Sequence, residues 1–93
     1  MGLLEVIMGG EITTKTFILE EADVLLVIPE INRHTTNIEH RKLLVSRDEK
    51  GVWSIKFATP SKQMKALVKS LTATYKLELT ADDSNEIVRL VRK

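Results

Sequence analysis

Two histidines stand six positions apart in the segment INRHTTNIEHRK, residues 31–42, in the company of Arg33, Asn37, Glu39, Arg41 and Lys42. These residue types bind metals, move protons and hold phosphates. A zinc site built on a histidine pair places the rings about three to five positions apart on one element and completes the shell with recognisable partners elsewhere. His34 and His40 have neither that spacing nor a partner set. Acid–base catalysis by the same pair, in the manner of a small metal-free ribonuclease, needs a group that orients each imidazole. Glu39 is the one obvious carboxylate nearby, and a strand would send its side chain to the opposite face from that of His40.

The rest of the chain adds little reactive material. No G-x-S-x-G elbow occurs, so no serine is presented as a nucleophile in that way. Gly2, Gly9, Gly10 and Gly51 are the only glycines, and no phosphate-cradling loop can be drawn from them. There is no cysteine, which removes disulfides and thiolate metal sites and points to a reducing compartment. The expectation is a protein without catalytic residues, metal or cofactor, located in the cytoplasm. The apolar run Leu3 to Met8 is broken by Glu5 and has no basic residue ahead of it, so it reads as neither signal peptide nor membrane span.

A net charge of +1 hides a strong polarity along the chain. Residues 1–30 carry one lysine against six acidic groups, a net −5, whereas residues 31–77 carry ten basic groups against three acidic ones, a net +7. The last sixteen residues carry three basic and four acidic groups, a net −1. Such asymmetry is a recognised sign of an electrostatic partner.

These groups must be positioned by a single domain, since 93 residues leave no room for two cores. Gly9-Gly10 separates a flexible N-terminal segment, residues 1–10, from a domain over residues 11–93. TTKTFIL and DVLLVI are rich in β-branched and apolar residues and read as a hairpin turning at EEAD, with Pro29 ending the second strand. That pairing leaves Ile18, Leu25 and Val27 on a second apolar face, which predicts self-association and a homodimer as its simplest form. IEHRKLLVSRD and GVWSIKFAT read as a second hairpin about Asp48–Gly51, where Gly51 suits a left-handed backbone position. This register sets Leu43 opposite Phe57, Val45 opposite Ile55 and Arg47 opposite Trp53.

Thr59-Pro60-Ser61 reads as a helix start. Met64, Leu67, Val68, Leu71 and Tyr75 then form an apolar stripe, and Lys62, Lys65, Lys69 and Lys76 a basic one. The C-terminal segment ADDSNEIVRLVRK reads as a short helix begun by Thr80 and Asp83, with a final hairpin strand as the competing reading. The expected fold is therefore α+β: a four-stranded antiparallel sheet of two hairpins, an amphipathic helix and a short C-terminal helix. The order β-β-β-β-α is similar to that of single-strand-binding coactivator-type domains, a likeness of order without a motif.

No motif names a reaction or a ligand, so the functional expectation rests on charge. Lys42 and Lys56 on the outer sheet face, with Arg33 and Arg41 close by, and the helix ridge of Lys62, Lys65 and Lys69 are candidate contacts for nucleic-acid backbone, with Trp53 and Phe57 turned inward and no aromatic left for base stacking. The alternative is a protein–protein interaction module, an inhibitor, adaptor or antitoxin-like protein, acting through a sheet edge or an apolar outer face.

Overall fold

The computed structural model describes residues 12–35 and 43–92. The readings made for residues 1–10 and for His40, Arg41 and Lys42 lie outside the described residues. The elements run β1 (Ile12–Glu20), α1 (Glu21–His34), β2 (Leu44–Arg47), β3 (Val52–Pro60), α2 (Ser61–Ala73), β4 (Leu77–Ala81) and β5 (Ile87–Arg92). They build one five-stranded sheet in the order β2-β3-β1-β5-β4. All neighbours are antiparallel except β1 and β5, which run parallel, so the sheet is mixed. The chain order β-α-β-β-α-β belongs to the split β-α-β type, with one further strand completing a C-terminal hairpin. The expected β-β-β-β-α order, and with it the likeness to coactivator-type domains, does not hold.

β1 shows the alternation that makes it a strand. Lys15, Phe17 and Leu19 are buried on one face, while Ile12, Thr14, Thr16, Ile18 and Glu20 fall on the other. As the central strand it pairs with β3 along its whole length and with β5 from Thr16 to Ile18.

The segment that follows is a helix, and the expected first hairpin is corrected. A short apolar run such as VLLVI suits a strand or a buried helix equally well, and burial here follows the helical period. Asp23, Val24, Val27, Glu30 and Ile31 face inward, with Glu21 and Asp23 in the first turn and Arg33 and His34 in the last, as the helix dipole favours. Pro29 lies inside α1 rather than ending a strand. Its missing N–H would have served the carbonyl of Leu25, whose side chain is 85% exposed, so water can take that carbonyl instead. Ile18, Leu25 and Val27 consequently share no surface: Ile18 lies on the open sheet face, Leu25 on the outer side of α1, and Val27 in the core.

The β2–β3 hairpin takes the expected register, with Val45 opposite Ile55 and Arg47 opposite Trp53. Gly51 adopts φ +85°, and Asp48 closes the turn by accepting the backbone N–H groups of Lys50 and Val52 on Oδ1 at 2.8 and 2.9 Å. α2 buries Met64, Leu67 and Leu71 of the stripe read in the sequence, while Val68 is half-buried and Tyr75 lies beyond the helix. It ends at Ala73, so Lys76 stands beyond the helix, at φ 60°, and opens the path into β4.

The C-terminal segment is a hairpin strand rather than a helix. Val88 and Leu90 face inward and Ile87, Arg89 and Val91 outward, the period of a strand. The turn is organised by Asp82, whose Oδ1 accepts N–H groups from Glu86 and Ile87 and the Ser84 hydroxyl, while Asn85 takes the left-handed conformation at φ 63°.

Both helices pack on the same face of the sheet and on each other. Phe17, Val27, Ile31, Ile55, Leu67, Leu71, Leu77 and Leu90 lie at the centre of the core, where the Phe17 and Phe57 rings meet edge to face at 5.0 Å. The other sheet face carries exposed Ile12, Leu44, Ile87 and Val91 among polar residues.

Candidate functional site

Two arrangements bring chemistry-bearing side chains together. The first centres on Glu30, which α1 directs inward at 4% exposure against the end of α2. Its Oε2 accepts the Ser70 hydroxyl, His34 Nε2 at 3.1 Å and Arg33 Nη2 at 3.3 Å. The Tyr75 hydroxyl reaches Oε1 at 3.4 Å. The Ser70 hydrogen bond holds the Glu30 carboxyl below its ordinary value; burial opposes this, and His34 and Arg33 reinforce it.

Serine, histidine, tyrosine and glutamate together resemble catalytic material, but the connectivity is that of a staple. Every donor converges on one carboxylate, and the Ser70 proton goes to Glu30 rather than to an imidazole, so no nucleophile–base pair is set up. A carboxylate held ionised and occupied by four donors is also a weak base. His34 thus has an orienting carboxylate that the sequence reading did not find. The signal was the Glu30–His34 spacing of four, which means contact only on a helix.

The second arrangement is a groove of about 490 Å³ between α2 and the β4–β5 hairpin. Met64, Val68, Leu79 and Val88 give it an apolar floor, Lys15, Lys65 and Lys69 line it, and among the described residues no carboxylate does. Lys65 and Lys69 are exposed on α2, whereas Lys15 projects from the buried face of β1 and is 9% exposed. Its Nζ donates to the Asn85 carbonyl at 2.6 Å, tying the central strand to the β4–β5 turn. Lys15 was not among the residues singled out from the sequence. Its signal was alternation: in TTKTFIL it falls in phase with Phe17 and Leu19, so a strand that buries those rings must bury its lysine too.

The seven basic residues expected on a sheet face and a helix ridge fall in separate places. Lys62, Lys65 and Lys69 stand together on the outer side of α2. Lys56 projects from β3 on the open sheet face, across from Thr16 and Leu44, with the sheet between it and the helices. Arg33 is paired with Glu30, and Arg41 and Lys42 lie outside the described residues. A second cleft of about 360 Å³, where the ends of β1 and β5 meet the start of α1, carries both signs of charge, and within it Arg92 donates to Asp23 at 2.7 and 3.1 Å.

Among the described residues no cluster of three histidine, aspartate or glutamate side chains could hold a metal ion, and no helix is long and apolar enough to cross a membrane. Comparisons with protein-family models, curated proteins and solved structures returned no match.

Proposed function

We propose that this chain is a small non-catalytic binding protein whose working surface is α2 with the groove beside it, and whose partner is an acidic protein surface. The observation that carries the reading is the composition of the groove among the described residues: three lysines, no carboxylate, and half-buried Val68 and Leu79 over the core residues Met64 and Val88. Phosphate backbone would use the lysines and leave the floor wet. A protein segment carrying both acidic and apolar side chains would use both, and covering the half-buried Val68 and Leu79 adds about 25 cal/mol for each Å² removed from water.

The test is recovery of partners from an extract, with and without nuclease, by the wild-type protein and by a Lys65→Glu, Lys69→Glu variant. The reading expects proteins that survive nuclease and are lost with the variant. Recovery that nuclease abolishes would replace it with the second reading, nucleic-acid backbone held on Lys62, Lys65 and Lys69, which is favoured by their alignment on one side of α2.

A further inference from the structure

The groove has a direction, and the direction suggests its occupant. Met64, Val68 and Thr72 line it at intervals of four along α2, a run of about 12 Å at 1.5 Å per residue. A row of residues spaced by four is the ridge that one helix offers to another. The floor, Leu79 and Val88, belongs to the same sheet face on which α1 and α2 already lie. A third helix set beside α2 would continue that layer over β4 and β5. Lys65 and Lys69, each one position after a ridge residue, would flank it on the solvent side.

Lys15 supplies the second constraint. An ammonium group has three donors, and among the described residues the Asn85 carbonyl is its one acceptor. A charge this buried is costly unless it is paired. The turn beside it is acidic, but the Asp82 carboxylate is directed back onto its own turn by Ser84, Glu86 and Ile87. An incoming carboxylate would therefore complete the Lys15 site from outside.

From the ridge, the floor and the three lysines we infer that the groove between α2 and the β4–β5 hairpin docks an amphipathic helix of a partner protein, with an apolar stripe on the half-buried Val68 and Leu79, which lie over the core residues Met64 and Val88, and acidic residues facing Lys15, Lys65 and Lys69. This rests on the protein-partner reading above and adds where the partner binds and what its contact segment looks like.

The experiment titrates isotope-labelled full-length protein with two synthetic helical peptides of roughly 14 residues, an ordinary helix length. Both carry leucines at spacings of three and four; one has glutamates on its flanks and the other lysines. The acidic peptide should move the backbone amide signals of Lys15, Val68, Thr72 and Leu79, and should bind at least about tenfold more tightly than the basic one at about 50 mM salt. Val68→Glu and Lys69→Glu, both at surface-accessible positions of α2, should each weaken it by about tenfold, while Lys56→Glu on the opposite face should leave it unchanged. No binding of the acidic peptide, signal changes on the open sheet face instead, or an affinity indifferent to Val68→Glu would overturn the inference. A partner recovered despite nuclease but lost with Leu44→Lys rather than Val68→Glu would overturn the groove alone. Recovery abolished by nuclease would overturn the protein-partner reading beneath it.

Discussion

The hydroxyl of Ser70 on α2 donates to Oε2 of Glu30 on α1, joining two helices across forty positions of sequence. Tyr75, just beyond α2, reaches the other oxygen of the same carboxylate, so Glu30 fixes both the approach of the helices and the point at which the chain leaves α2 for β4. The groove beside α2 lies away from these contacts, between α2 and the β4–β5 hairpin.

Glu30 should make stability depend on pH in a definite direction. Its pKa in the folded protein lies below the ordinary 4.5, because the ionised form is the one that Ser70, His34 and Arg33 bond. The stabilisation is therefore complete above the unfolded value and is lost as pH falls through the lowered folded value. Urea unfolding at a series of pH values should show stability declining below about pH 4.5. Glu30→Gln should be less stable than wild type by about 1–3 kcal/mol at neutral pH and should flatten this acid decline. An unchanged acid limb in the variant would remove Glu30 as its source.

A helical α1 makes its own prediction at two of its positions. Leu25→Lys should cost less than about 0.5 kcal/mol, since that side chain already stands in solvent. Ile31→Ala should cost about 2–5 kcal/mol, since it opens a cavity in the core. On the strand reading, Leu25 belonged to an apolar face covered by a second copy, and its replacement would have broken a dimer. Denaturant midpoints and sedimentation of both variants decide between these outcomes.

The same segment shows how far the sequence was legible. The β2–β3 hairpin could be read to its register because Gly51 marks one left-handed position and the large side chains alternate on either side of it. α2 could be read because its apolar and basic stripes differ in phase. α1 could not be read from its five apolar residues, which satisfy both periods, although the acidic first turn and the basic last turn carried the helix signal. The missed strand β5 follows from the same weakness: capping-type residues before it, at Thr80 and Asp83, also serve a turn. The candidate site was half legible. Lys62, Lys65 and Lys69 were visible as a stripe, while Lys15, Leu79 and Val88 join Lys65 and Lys69 only once β4 and β5 are known to lie beside α2.

Gly51 offers a test of backbone alone. At φ +85° an L side chain is strained, yet a Cβ built there meets nothing within 4 Å. Gly51→Ala should therefore cost about 1–2 kcal/mol without any packing contribution, and Gly51→Asn should cost less because asparagine tolerates the left-handed region. Equal losses for the two variants, measured by thermal or urea unfolding, would mean that the turn itself had rearranged.

The division of the basic residues between two faces gives the last prediction, which bears on the nucleic-acid reading. Binding to phosphate backbone releases counterions, so the logarithm of affinity falls linearly with the logarithm of salt concentration, by about 0.7 per single-strand phosphate and 0.9 per duplex phosphate contacted. If the backbone lies along α2, replacing Lys62, Lys65 and Lys69 together by Gln should lower that slope by about two to three units, with little change in base preference. Lys56→Gln should leave the slope unaltered, because Lys56 projects from β3 on the other side of the sheet and one strand of nucleic acid lying on α2 does not reach it. A slope that responds to Lys56 and not to the α2 lysines would move the contact to the open sheet face. Undetectable binding to single- and double-stranded polymers at about 50 mM salt would end the nucleic-acid reading and leave the α2 lysines to an acidic protein.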